Sequence, residues 1–127
     1  MDYMNLLKKA KEVSKNAYAP FSHFPVGACI LCESGKTYVG CNMESPSNIM
    51  TICAERNAIA NAVANGDTKI VAVAVYAAKR EDIVPCGFCR QMLLEFQGEK
   101  DIEVISQSDD GYKIRKLSAL LPESYMF

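Results

Sequence analysis

Two short cysteine clusters constrain this chain more than any other feature. The first reads Thr51-Ile52-Cys53-Ala54-Glu55-Arg56, the second Pro85-Cys86-Gly87-Phe88-Cys89-Arg90-Gln91. Each opens a helix-like segment that follows a loop: Thr51 to Ala64 is rich in alanine and stops at Asn65-Gly66, and Pro85 to Phe96 is stopped by Gly98. The positive end of a helix dipole favours a thiolate at either start. A fold that brings the two starts together therefore gathers thiolates around one point. Zinc takes four tetrahedral ligands, and three from the protein leave one position for water, the pattern of a catalytic rather than a structural site.

A Cys-x-x-Cys standing alone is as readily a redox pair, or merely two buried side chains, as a metal site. The first cluster shifts that balance, because a redox dithiol has no use for a third thiol followed two residues later by a carboxylate. The expected ligands are Cys53, Cys86 and Cys89, holding one Zn2+ per chain. Cys29 and Cys32 have the same spacing but lie in a predicted strand, where positions three apart face opposite sides. With Cys41 they are expected in the core. His23, the one histidine, is read as a loop residue. Six cysteines need not mean disulfides, since half of the 127 residues are hydrophobic and can supply a core. Reduced thiols are expected.

The remaining pattern alternates. Tyr3 to Ala17 carries Leu6, Leu7, Ala10, Val13 and Ala17 at helical spacing. Val26 to Leu31 and Thr37 to Cys41 read as a hairpin across Glu33-Ser34-Gly35-Lys36, and Asn42 to Thr51 as a loop broken by Pro46. Lys69 to Ala77 is an unbroken apolar run suited to a strand buried on both faces. Ile102 to Ser106 and Tyr112 to Lys116 flank Ser108-Asp109-Asp110-Gly111, a tight-turn signal that makes these last two strands antiparallel. A short helix follows at Leu117 to Leu121. The expectation is one domain, 1–127, of class α/β: a three-layer α/β/α arrangement around a five-stranded mixed sheet.

Charge excludes other roles. With 14 Lys+Arg against 15 Asp+Glu, a basic nucleic-acid surface is not expected. The longest apolar stretch, Ile70 to Ala78, is too short to span a bilayer, and the N-terminus shows no signal-peptide core. No membrane partner is expected and the location reads as cytoplasmic. Neither the Gly-rich dinucleotide fingerprint nor the P-loop pattern occurs.

The Cys-Ala-Glu and Pro-Cys-x-x-Cys pair resembles the signature of the zinc nucleobase deaminases. Within that group the chain is similar to the small homotetrameric cytidine deaminases along nearly its whole length. The likeness runs from Tyr18-Ala19-Pro20-Phe21-Ser22 through Phe24-Pro25-Val26-Gly27-Ala28, Asn42-Met43-Glu44 and Cys53-Ala54-Glu55-Arg56 to Leu120-Leu121-Pro122. The resemblance implies hydrolytic deamination of cytidine or deoxycytidine, with Glu55 carrying a proton from water to ring nitrogen 3 and the departing amine. It also implies that Arg56 donates to the thiolate sulfurs and offsets their charge. Phe24 would stack on the pyrimidine, the Ala54 amide would meet its carbonyl oxygen, and Asn42 with Glu44 would bind ribose hydroxyls. Tyr125 matches an aromatic that reaches a neighbouring subunit's site in a homotetramer with shared sites, and Phe127 lies just beyond it.

Two departures stand out. Ser45-Pro46-Ser47-Asn48-Ile49 replaces the family's usual small-residue stretch ending in Tyr, and Asn57 replaces its usual Thr. A modified cytosine nucleoside such as blasticidin S is the alternative substrate, with unchanged chemistry. Nucleic-acid editing and a noncatalytic zinc-stabilised binding module stand behind it.

Overall fold

In the computed structural model, which describes residues 1–126, the chain forms α1 (Tyr3–Ser14), β1 (Val26–Cys32), β2 (Thr37–Cys41), α2 (Ala54–Ala64) and β3 (Ile70–Ala77). Then come α3 (Gly87–Glu95), β4 (Glu103–Ser108), β5 (Gly111–Lys116) and α4 (Leu117–Leu120). The strands make one sheet in the order β2-β1-β3-β4-β5. β1 is antiparallel to both β2 and β3, and β5 is antiparallel to β4. β3 and β4 are parallel, which requires the long crossover that contains α3.

Side-chain alternation along the strands sets the layers. Cys29, Ala72, Ala74 and Ile105 meet Leu6, Leu7 and Ala10 of α1 on one face. On the other, Ala28, Ile30, Cys32, Val73, Val75 and Val104 pack against Ala58, Ile59 and Ala62 of α2, Leu93 of α3 and Leu117 of α4. Cys29 and Cys32 thus face opposite layers, as their strand spacing requires. Burial pushes both thiols up to about 11, so neither is a reactive thiolate.

Three contacts seat α2 on the edge strand β2. A Cβ at Gly40 would stand 2.3 Å from the Ala58 amide nitrogen and 2.6 Å from the Ala54 carbonyl oxygen, so only glycine admits the helix this closely. Asn57 Nδ2 donates to the Cys41 carbonyl (2.8 Å) and Asn61 Nδ2 to the Val39 carbonyl (3.2 Å). These bonds satisfy edge carbonyls that would otherwise invite another strand.

Several element ends shift by one or two residues from the sequence reading, and two shift by three. α1 stops at Ser14 rather than Ala17, because Asn16 and Ala17 turn their amides onto Val13 and Ser14 in tighter bonds. α2 begins at Ala54 rather than Thr51. Ile52 is held extended by reciprocal backbone bonds with Met43 (2.9 and 3.0 Å), so the segment expected to be a plain loop is closed at its base.

Candidate metal centre and substrate cleft

Cys53 and Cys86 are the N-caps of α2 and α3, both with extended backbone, and neither side chain caps its helix. A serine or aspartate there would turn back onto the helix amides; these thiols leave them open and point to a shared centre. Cys89 enters from the first turn of α3 and is fully buried. The sulfurs of Cys53 and Cys86 are 3.8 Å apart, those of Cys86 and Cys89 3.5 Å, and all three lie within 4.8 Å of one another. Tetrahedral zinc with Zn–S near 2.3 Å sets its sulfur ligands roughly 3.8 Å apart. Among the described residues no other group of three or more His, Cys, Asp or Glu is gathered for a metal.

The local field favours charge separation. A hydrogen bond from the Cys89 thiol, with help from Arg56 and Cys86, draws Cys53 down to about 5 despite its burial. That same bond, and burial after it, pushes the Cys89 thiol well above the usual range. Arg56 Nη2 donates to the Thr51 carbonyl at 3.0 Å and approaches Cys53 Sγ at 4.0 Å. Its guanidinium lies 5.8 Å above the Phe88 ring, and its Nε is buried without a hydrogen-bond partner among the described residues. A cation is thus fixed beside the thiols rather than solvated away from them.

Glu55 projects beside this centre and is 5% exposed. Burial pushes its carboxyl up to about 7, and the charge of Cys53 adds to the effect. A carboxyl poised there takes and returns a proton near neutral pH.

A cleft of about 390 Å³ joins these groups, within the usual range for small-molecule sites. Cys53, Ala54, Glu55 and Cys86 line it, as do Phe24, Asn42 and Glu44. Wider hollows of about 640 and 620 Å³ beside α1 hold none of these groups, so chemistry rather than size marks the site. Tyr125 does not line the cleft of its own chain: it is largely exposed, and its carbonyl accepts from Gln91 Nε2 at 3.2 Å. Phe127 lies outside the described residues.

The polar wall is already partly committed. Asn42 Oδ1 accepts from the Val26 amide (2.9 Å) and its Nδ2 donates to the Phe24 carbonyl (3.0 Å), which leaves one N–H and one lone pair. Glu44 Oε1 accepts from the Phe21 and Ser22 amides, each at 3.0 Å, while the Ser22 hydroxyl donates to Oε2. Sequence reasoning missed Ser22, Val26, Thr51, Ile83 and Val84 as lining residues. The apolar pair directly before Pro85 was the one visible signal. That wall is braced by the last two strands: Ser106 Oγ of β4 donates to the Ile83 carbonyl at 2.6 Å, and Arg115 of β5 pairs with Asp82 at 2.8 Å.

Comparisons with known proteins agree with one another. A family profile described as the cytidine and deoxycytidylate deaminase zinc-binding region matches residues 2–105. A cytidine deaminase of Mycoplasma genitalium is 40% identical over 121 residues, covering 94% of this chain and 92% of that protein. One from Sporosarcina psychrophila is 45% identical over 96 residues, covering 76% and 71%. Among solved structures, the cytidine deaminase from Burkholderia pseudomallei superposes with a TM-score of 0.89 at 35% identity, covering 98% of this chain and 100% of that one.

Proposed function

The chain belongs to the cytidine and deoxycytidylate deaminase family, and from that premise we propose that it hydrolyses cytidine and deoxycytidine to uridine and deoxyuridine, releasing ammonia. The observation that carries this reading is the convergence of the Cys53, Cys86 and Cys89 sulfurs at the cleft that Cys53, Cys86 and the buried Glu55 line together.

The three sulfurs fit zinc in spacing and in softness, and Cys53, Cys86 and Cys89 are the residues that would hold it. When bound, zinc supplies the Lewis acidity that makes water a nucleophile near neutral pH. Everything else falls to side chains. Glu55 takes the proton lost as the water oxygen bonds to carbon 4 and delivers it to ring nitrogen 3. It then moves a proton to the exocyclic nitrogen, the bond from carbon 4 to that nitrogen breaks, and ammonia leaves behind a carbonyl. Arg56 offsets the surplus negative charge of three thiolates around a divalent ion.

Substrate placement follows the same wall. Phe24 offers its ring to the pyrimidine. Ala54 opens α2, so its amide lacks an intrahelical acceptor and is available to a carbonyl oxygen. The remaining capacity of Asn42 and of Glu44 Oε2 suits sugar hydroxyls. Residues 1–127 act in this reading as one domain, in the cytoplasm, within pyrimidine salvage. No helix among the described residues is long and apolar enough to cross a membrane. The reading includes a homotetramer in which Tyr125 and the loop from Ser45 to Ile49 close a neighbour's site. The exposure of Ile49 (92%) and Tyr125 (68%) in the single chain supports that arrangement.

A deamination assay on cytidine, deoxycytidine and blasticidin S decides the substrate. Turnover of the first two is expected; turnover of blasticidin S alone would move the chain to the modified-nucleoside alternative.

A further inference from the structure

Ser22 lines the cleft and is hydrogen-bonded to two other lining residues, Phe24 and Glu44. It lies in a turn closed by the His23 amide on the Ala19 carbonyl at 3.0 Å, with His23 in the left-handed region at φ 57°. One hydroxyl has a proton to give and two lone pairs to receive with, and Ser22 uses both functions at once. Its Oγ accepts from the Phe24 amide at 3.0 Å and donates to Glu44 Oε2.

The Glu44 carboxylate shows why this matters. Its Oε1 is filled by the amides of Phe21 and Ser22, so Oε2 is the oxygen with room for a ligand. The Ser22 hydroxyl alone, among the hydrogen bonds described, fixes that oxygen's direction. The same hydroxyl is the largest cause holding Glu44 below the usual carboxylate range, so Glu44 is a pure acceptor at neutral pH. Without it, the two amides would keep the carboxylate nearby, but Oε2 would swing and the Phe24 amide would lose its acceptor.

We propose that Ser22 is a positioning residue for specificity: its single hydroxyl ties Phe24 to Glu44 and so sets how sharply the cleft distinguishes nucleosides by their sugar hydroxyls. This rests on the reading above, in which Glu44 receives such a hydroxyl. A serine that merely stabilised its turn would affect unfolding temperature and leave that discrimination untouched.

The test is steady-state deamination of cytidine, 2′-deoxycytidine and 3′-deoxycytidine by zinc-loaded wild type, Ser22→Ala and Ser22→Thr, with zinc content and melting temperature measured alongside. Wild type should discriminate against at least one deoxy analogue. Ser22→Ala should raise KM for cytidine roughly 3- to 10-fold, the cost of ordering one side chain anew, with kcat nearly kept. It should narrow the discrimination by a similar factor, and Ser22→Thr should restore it by returning the hydroxyl. Equal discrimination in wild type and Ser22→Ala would overturn the proposal while leaving Glu44 in its role. A wild type indifferent to both hydroxyls would overturn the Glu44 reading and this one with it. Should Ser22→Ala not fold, Ser22→Cys, close in size and a weaker donor, reads the same ratio.

Discussion

At an N-cap, a side chain that ignores its own helix has been freed for another task, and Cys53 and Cys86 both do this. Their thiols, with that of Cys89, should bind about one zinc per chain. Metal analysis of Cys53→Ala, Cys86→Ala and Cys89→Ala should show large losses, whereas Cys29→Ala, whose thiol faces the α1 layer, should keep full zinc. Full occupancy in all three ligand variants would remove the site. Glu55→Gln nearly preserves shape but cannot carry a proton, so zinc and fold should survive while kcat falls by at least about 100-fold. Near-normal turnover of the zinc-loaded variant would defeat the proton-carrier role. These residues were legible because their spacing is local: two helix starts, each carrying its own chemistry. Ser22, Ile83 and Val84 were not, since nothing in their local pattern says which strand or carboxylate they will meet. Asn42 shows the intermediate case, where the residue was singled out but its commitment to the Val26 and Phe24 backbone appears only in the fold.

The metal helix is only as well placed as its seat on β2. Gly40 lets α2 touch the strand, and Asn57 and Asn61 bond the edge carbonyls of Cys41 and Val39. Gly40→Ala drives a methyl into backbone atoms that cannot step aside, so thermal unfolding should show a loss of about 1–3 kcal/mol. Asn57→Ala should cost about 1 kcal/mol, the usual net worth of one hydrogen bond. A Gly40→Ala protein as stable as wild type would mean that α2 is not held by this contact. The order of elements was readable because hydrophobic period and stop residues are local signals; Asn65 and Gly66 end α2 as expected, with Gly66 at φ 80°. The start of α2 was misplaced by three residues for a nonlocal reason: Met43, nine positions back along the chain from Ile52, takes that residue's backbone groups. Asn57 was noticed only as a departure, and its work on the edge strand needed the fold to be seen.

On the scale of the whole molecule, the layers agree with the sequence reading because β3 could be recognised as apolar on both faces, which demands helices on each side. Assembly was not written in such local terms. Ile49, Met50, Phe88 and Tyr125 are all large, apolar or aromatic and more than half exposed in the single chain, an arrangement that a neighbouring copy would cover. Sedimentation should therefore show a homotetramer, and removal of residues 125–127 should raise KM while leaving zinc content intact. A fully active monomer would return Tyr125 to a structural role. The central claim, that three cysteines hold a zinc whose chemistry Glu55 completes, is tested most directly by titrating zinc into metal-free wild type and Glu55→Gln while recording bound metal and uridine formed from cytidine. Wild-type activity should rise in proportion to bound zinc and level off at about one equivalent per chain, with Glu55→Gln binding the same amount and staying at least about 100-fold less active. Activity that is independent of zinc, or a zinc-loaded Glu55→Gln as active as wild type, would contradict it.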